Sequence, residues 1–352
     1  MSASNPVRLN YIGSKFQLLE WLTENIQRVT GWTDFKGKRI ADLFGGTGIV
    51  SYHFRGLGAA VFSNDAELYS ATICHAFTRS NYNDDIEAII EQLNIELAEG
   101  CYAETVGNVA RLYSPLGEAG RKFFTSDNAR RIDYVRGRLE EWRTEVSADD
   151  YAFLLASLLV SADAVSNVPA VYGCFLKNFK AKAMKSLVLK PVHSCTIPSA
   201  AGSSTSNKDV LDRGFLAEAS AAHLDAVYLD PPYNERQYSK NYFPLNVIAA
   251  EPDAVHTVAG VTGIPAGCFL SPFCKRGAAV ESAFETVLAG AGGAYVFISY
   301  NSESLIPRER MCEIMRRYGT VTVVERDYKR FKSFEYNEDV EIKEFLFCLE
   351  RR

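Results

Sequence analysis

The sequence predicts an α/β fold: a doubly wound sheet with a mostly helical domain inserted in it. Three observations carry that expectation. Short apolar runs, among them Ile40-Ala41, Ala60-Val61-Phe62 and Ala226-Val227-Tyr228-Leu229, stop at or near acidic residues, as buried strands do when they break into turns. The turn Gly45-Gly46-Thr47-Gly48 leads from such a run into the helical pattern Ile49-Val50-Ser51-Tyr52-His53-Phe54. Between residues 66 and 162 the apolar spacing becomes helical, which points to a bundle-like insertion.

Composition bounds the answer. With 352 residues, 47% hydrophobic and 23% charged, the chain is long enough for one large core plus an inserted or second domain. It contains no unbroken apolar stretch of membrane length. Met1-Ser2-Ala3-Ser4-Asn5-Pro6 lacks the charged and apolar regions of a signal peptide, so a cytoplasmic location is expected. Eight cysteines form no C-x-x-C pair and the five histidines do not fall at ligand spacing, so free thiols and no metal are expected. A net charge of −5 argues against a globally basic nucleic-acid binder but leaves room for a local basic surface.

In chain order, Leu9-Asn10-Tyr11-Ile12-Gly13-Ser14-Lys15 leads into an amphipathic helix carrying Phe16, Leu18, Leu19, Leu22, Ile26 and Val29. Ser14 stands at the N-cap, and a helix start beside a lysine can seat a carboxylate. An ordinary surface helix with a solvated Lys15 accounts for this segment equally well. Next, Lys38-Arg39-Ile40-Ala41-Asp42-Leu43-Phe44 runs into the glycines, which let a backbone approach a ligand closely. The following strand, Ala60–Asn64, ends at Asp65, about where an acid commonly takes a ribose diol.

The stretch Asp230-Pro231-Pro232-Tyr233 is the most informative. Neither proline can donate to a ladder and each holds its φ, so the strand Ala226–Leu229 must break into a rigid turn at its carboxyl end. A carboxylate and carbonyls held there can accept hydrogen bonds from an exocyclic amine, while the tyrosine offers a face to a planar base. The plain alternative is a strand-to-loop turn with a surface aspartate.

Taken together, Asn10-Tyr11-Ile12-Gly13-Ser14-Lys15, Asp42-Leu43-Phe44-Gly45-Gly46-Thr47-Gly48, Asn64-Asp65, Asn207-Lys208-Asp209-Val210 and Asp230-Pro231-Pro232-Tyr233 resemble, in residues and in order, the Dam-like DNA adenine-N6 methyltransferases of the alpha group. The resemblance implies a Rossmann-like methyltransferase sheet. It also implies transfer of a methyl group from S-adenosylmethionine to N6 of a flipped-out adenine. By the same likeness Tyr11 and Lys15 hold the cofactor's methionine part, Gly46 and Gly48 shape its pocket, and Asp65 takes the ribose hydroxyls. Asp209 lies beside the cofactor's adenine, and Asp230 is shared between cofactor and target amine. Ser14, Asp42, Phe44, Gly45, Thr47 and Val210 complete the expected cofactor-binding set. Asp230, Pro231, Pro232 and Tyr233 form the expected catalytic set.

The remainder is read from pattern. Asp84 to Leu97 and Tyr151 to Val160 are expected helices, and the arginines at 121, 130, 131, 136, 138 and 143 interleave with acids as on a solvated helical face. From Ala164 to Lys208 there is no acidic residue but there are six lysines, with aromatics among them. This is the expected DNA-facing region, represented by Asn167, Tyr172, Lys177, Lys180, Lys182 and Lys185. Residues 200 to 206 are read as a mobile connection. Arg236, Tyr238 and Lys240 would form a lip over the flipped base or its phosphates. Residues 251 to 280 are expected to be a long loop. Helices at 281–288 and 308–318 and strands at 293–301, 321–324 and 344–349 would close the sheet, with Arg326, Lys329, Arg330 and Lys332 a second basic patch offset by Asp327 and Glu335.

The expected organisation is a catalytic domain of residues 1–100 and 207–352 and a target-recognition insertion of 101–206. The expected partner is double-stranded DNA, in a restriction-modification system without stable contact to the endonuclease, or in a phage or orphan setting. The protein is expected to be a monomer. Amino methylation of cytosine N4, methylation of structured RNA or of a protein glutamine, and a silent DNA-binding module are the alternatives.

Overall fold

The computed structural model describes residues 6–7, 9–197, 202–329 and 341–351. The strands are β1 (Arg39–Asp42), β2 (Ala60–Asn64), β3 (Ser204–Ser206), β4 (Ala226–Leu229), β5 (Val258–Ala259), β6 (Ile264–Pro265), β7 (Tyr295–Asn301), β8 (Gly319–Lys329) and β9 (Glu341–Arg351). The helices are α1 (Leu19–Thr30), α2 (Ile49–Gly56), α3 (Leu68–Thr78), α4 (Asp84–Glu99), α5 (Asn108–Tyr113), α6 (Ser126–Glu141), α7 (Ala148–Ala164), α8 (Arg213–Ala221), α9 (Tyr238–Asn241), α10 (Phe243–Ala249), α11 (Ala278–Gly290) and α12 (Arg308–Arg316).

The chain divides into two compact units. One comprises Met1–Ile12, Glu67–Ile197 and Tyr238–Phe269, the other Gly13–Ala66, Pro198–Gln237 and Leu270–Arg352. These boundaries differ from the expected 1–100, 101–206 and 207–352. The reason is that α3 and α4 belong with α7: α3 buries Tyr69, Ile73 and Phe77, and it packs on α7. A helix apolar all round needs helical neighbours.

The second unit holds a seven-stranded sheet in the order β3-β2-β1-β4-β7-β9-β8. The pairs β1–β2, β1–β4, β2–β3 and β4–β7 are parallel, and β7–β9 and β8–β9 are antiparallel. Its central strands read as continuous apolar runs because both faces are covered. Ile40, Ala226, Tyr228 and Phe297 pack with residues of α1 and α2. Ala41, Val227, Leu229, Val296 and Ile298 pack with residues of α8, α11 and α12.

Two elements of this unit were not expected. Ser204–Ser206 is not a mobile connection but an edge strand, paired from Phe62↔Ser204 to Asn64↔Ser206. Small polar side chains can edge a sheet, and Val61 N donates to Ser203 Oγ at 3.0 Å just before it. Helix α8 buries only Phe215, Leu216 and Ala219, so its apolar stripe is faint, but Asp212 caps it by accepting from Phe215 N. Strands β8 and β9 run longer than expected, pairing from Gly319↔Arg351 to Lys329↔Glu341. Ala200, Ala201, Arg330, Lys332 and Glu335 lie outside the described residues.

The helical unit is built from α3–α7, α9 and α10, with β5 and β6 forming a two-stranded ribbon inside the expected long loop. The expected helices at 84–97 and 151–160 extend to the nearest caps. Asn83 accepts from Ile86 N, Thr125 from Asn128 N and Ser147 from Asp150 N, satisfying amides that the first turn leaves unpaired. Most of the arginine set is paired, Arg131 with Asp127, Arg138 with Glu96 and Arg143 with Glu140 and Glu251. Arg121 is buried instead, donating to the carbonyls of Leu112, Gly260 and Val261. No helix among the described residues is long and apolar enough to cross a membrane.

Candidate active site

In the sheet unit the strand order reverses between β1 and β4, and the crevice at the carboxyl ends of such strands is where open α/β sheets bind ligands. β1 ends at Asp42, β2 runs into Asp65, and β4 runs into Asp230. The topology therefore gathers three acids that are far apart in sequence.

The glycine turn is held by the strand ends around it. Gly45 N donates to Asn64 O at 2.9 Å, Gly46 N to Asp65 Oδ2 at 2.8 Å, and Gly48 N to Gly45 O at 2.8 Å. Gly46 (φ 55°) and Gly48 (φ 71°) occupy the left-handed region, which a side chain disfavours. The Asn207-Lys208-Asp209 segment is tied to the same strand end: Asn207 Nδ2 donates to Asp65 O at 2.8 Å, and Lys208 N to Asn64 Oδ1 at 3.1 Å. Asp209 accepts from Leu211 N at 3.0 Å, Val210 is in the core, and Phe44 lies edge-on to Phe273 at 5.0 Å. Thr47 is buried in the turn.

Asp42 is 1% exposed. Its Oδ2 accepts from the Ser51 hydroxyl at 2.7 Å, whereas its Oδ1 has no hydrogen-bond partner among the described residues. Burial raises its pKa to about 7; Ser51 opposes the shift, and Asp230 and Asp65 add to it. A buried carboxyl oxygen without a donor fits a site that receives its partner from outside the chain.

The second half of the site centres on Lys15. Its ammonium lies 2.9 Å from Asp230 Oδ1 and 3.7 Å from Glu344 Oε1, and it donates to Gly13 O at 2.9 Å. It also stands 4.8 Å from the centre of the Tyr233 ring. Tyr233 donates its hydroxyl to Glu344 Oε1 at 2.7 Å and meets Tyr300 edge-on at 5.1 Å. Burial raises the Asp230 pKa and Lys15 opposes it; Glu344 follows the same pattern. Pro231 is buried and Pro232 half-buried, as a stiff turn requires. Ser14 precedes a short 3-10 turn, Lys15–Leu18, rather than α1 itself, and makes no side-chain cap. Arg236 is exposed.

The other expected residues lie in the helical unit. Tyr11 stacks on Tyr242 at 4.9 Å and lies 5.4 Å from Tyr238, whose hydroxyl donates to Ile12 O at 3.2 Å. Asp163 holds this segment: its Oδ2 accepts from Asn10 N and Nδ2, at 3.0 and 2.9 Å. Asn167 and Tyr172 were expected at a DNA surface, but both are 0% exposed. Asn167 donates to Lys122 O and Leu176 O and accepts from Lys180 N, while the Tyr172 hydroxyl donates to Asp163 Oδ1. Their polar groups shape the loop and face no solvent. Lys180 and Lys182 are half-buried and donate to the carbonyls of Val168 and Asp163; Lys177, Lys185 and Lys240 are exposed.

Glu344 and Ser51 were missed from the sequence. The signal that could have found Glu344 is an acid opening the otherwise apolar run Phe345-Leu346-Phe347-Cys348-Leu349, and for Ser51 it is a serine facing the core of α2.

Comparison with known proteins agrees with this geometry. The profile of the D12 class N6 adenine-specific DNA methyltransferases matches residues 11–265. The chain is 38% identical over 340 residues to the type II methyltransferase M.CviAII of Paramecium bursaria Chlorella virus 1, covering 97% of this chain and 98% of that relative. It is 36% identical over 327 residues to the type II methyltransferase M.NlaIII of Neisseria lactamica, covering 92% and 93%. To the modification methylase StsI of Streptococcus sanguinis it is 28% identical over 359 residues, 98% of this chain and 52% of the relative. No solved structure matches the chain significantly. With four of its five motifs at strand ends of one sheet and most of its length matched, the chain belongs to the D12 class N6 adenine-specific DNA methyltransferase family.

Proposed function

We propose that the chain carries the methyl group of S-adenosylmethionine to N6 of an adenine extruded from double-stranded DNA, as the modification enzyme of a type II restriction-modification system. The observation that carries this reading is Asp230, held 2.9 Å from Lys15 beside Tyr233 at the end of β4, where a parallel α/β sheet binds its ligands. The sheet unit, read as a doubly wound Rossmann-like domain, is the catalytic part. The helical unit is the recognition part.

The residues fit S-adenosylmethionine. Asp42 offers a buried carboxyl oxygen without a donor, Gly46 and Gly48 bend the turn in the way a close backbone approach needs, and Asp65 stands at the end of β2 for the ribose hydroxyls. Ser14, Lys15, Phe44, Gly45, Thr47, Asp209 and Val210 complete this assignment. When bound, the cofactor supplies an electrophilic methyl carbon on a sulfonium.

The target amine is recessed in the duplex, so the base must leave the stack. Tyr233 would receive it on a ring face, worth about 1–3 kcal/mol. Asp230 and the Pro231 carbonyl would accept the two amine hydrogens, which frees the nitrogen lone pair to point along the transfer line. Lys15 favours ionised Asp230 against the pull of burial, keeping it an acceptor. Asp230 is also placed to take the proton that the methylated nitrogen sheds. Alignment and a preorganised acceptor are the main contributions.

Lys177, Lys185, Arg236 and Lys240, all exposed, are assigned to phosphate. Asn167 and Tyr172 are assigned to the scaffold of the loop that carries Lys177. Mass spectrometry of nucleosides from DNA incubated with the protein and S-adenosylmethionine tests the reading. N6-methyl-2′-deoxyadenosine is expected, and N4-methyl-2′-deoxycytidine or no methylated nucleoside contradicts it.

A further inference from the structure

Glu344 lies on β9, paired in register with Asn301 of β7 and Arg326 of β8. It is 3% exposed, and the residues that follow it on the strand, Phe345 to Leu349, form an apolar buried run. Packing alone would be served by another apolar side chain, and burying a carboxylate is costly unless it is paired and hydrogen-bonded. Its pairing is directed at the site: Tyr233 donates its hydroxyl to Oε1 at 2.7 Å, and the Lys15 ammonium stands 3.7 Å from the same oxygen.

The Tyr233 ring has other neighbours, the Lys15 ammonium 4.8 Å from its centre and the Tyr300 ring edge-on at 5.1 Å. Both are ring contacts. The hydroxyl, which Asp230 also engages, is pinned at its far end by the hydrogen bond to Glu344, and because a phenolic hydrogen prefers the ring plane, the place of that acceptor helps orient the ring.

We propose that Glu344 is a positioning residue of the methyl transfer: through the Tyr233 hydroxyl it sets the plane on which the target base rests, and it shares Lys15 with Asp230. This rests on the reading that Tyr233 stacks on the target base. The carboxylate touches no reacting atom, so its effect is on alignment, where small displacements are expensive in rate.

The test compares E344A, E344Q, Y233F and the double variant E344A/Y233F with the wild type. Single-turnover formation of N6-methyladenine, KM for DNA and thermal midpoint are measured. E344A is expected to slow the single turnover by up to about 100-fold, the scale of a 1 Å misplacement, with KM for DNA unchanged. E344Q keeps an acceptor for the hydroxyl and is expected to recover most of the rate. The double variant is expected to be no slower than the slower single variant, because both changes remove one interaction. A wild-type rate in E344A, or losses that multiply in the double variant, overturns the proposal. Should E344A fail to fold, Y233F carries the test, since it removes the same hydrogen bond and leaves the carboxylate beside Lys15; a wild-type rate in it is equally contrary. Absence of N6-methyladenine from the wild-type reaction contradicts the assigned chemistry and not the role of Glu344.

Discussion

Asp42 shows how burying one carboxyl group can cost stability. Its folded pKa, about 7, lies above the ordinary aspartate value of 3.8, so the folded state retains a proton that the unfolded chain releases. Its contribution to stability is therefore full below the unfolded value, falls as pH rises between the two, and is lost above about 7. Asp42→Asn removes the titration. The variant is expected to melt higher than the wild type at pH 8, with a much smaller difference at pH 5, and a thermal melt at both values checks it. Each kcal/mol recovered should raise the midpoint by about 2–4 °C in a large domain. The same titration predicts that affinity for a cationic cofactor rises with pH through about 7 in the wild type and is flat in the variant, as calorimetry would show. Residues of this kind were legible where the local pattern marks them. Asp42, Asp65 and Asp230 each end a recognisable apolar run. Glu344 was not, because the tyrosine it serves is 111 residues away and nothing in an apolar strand announces a partner across the sheet. Asn167 and Tyr172 misled for the complementary reason: a polar residue in a basic stretch looks solvated until its loop is seen to fold over it.

At the scale of the element, the turn between β1 and α2 has little tolerance for side chains. Gly48 is the N-cap of α2 at φ 71°, and Gly46 sits at φ 55° while donating to Asp65. Gly48→Ala is expected to cost about 1–2 kcal/mol, the left-handed penalty for a residue with a Cβ. A lowered urea midpoint with an unchanged slope would register it. Elements with strong periodicity or a capping residue were readable: α4 and α7 lie where the apolar spacing puts them, with their first residues set by Asn83 and Ser147. β3 was hidden because Ser204-Thr205-Ser206 has the composition of a linker, and only its parallel register with β2 makes it a strand. α8 was hidden because three buried side chains are too few to show a stripe.

At the scale of the whole molecule, an acidic chain has to bind a polyanion. The net charge of −5 is distributed unevenly, and the stretch from Ala164 to Lys208 has no acid. Lys177 and Lys185 remain exposed in it, whereas Lys180 and Lys182 turn their ammonium groups onto carbonyls. Replacing Lys177 and Lys185 with alanine is expected to weaken DNA binding alike for all sequences. The slope of log K against log salt should shrink by about 0.9 for each phosphate that the variant leaves un-neutralised, which a binding titration across salt concentrations measures. The order of motifs made the α/β class readable, since four of the five, those at 42–48, 64–65, 207–210 and 230–233, stand at the ends of strands of one mostly parallel sheet. The division into units was less readable, because the break at 12 falls inside a motif and the helical unit draws its segments from three separate parts of the chain.

The most direct measurement is made on Asp230→Asn, which keeps the shape of the turn and removes the charge facing Lys15. The variant should bind S-adenosylmethionine and DNA but form no N6-methyladenine in a single-turnover assay that the wild type completes. Methylation at the wild-type rate by that variant would contradict the role given to the carboxylate and, with it, the account of the site.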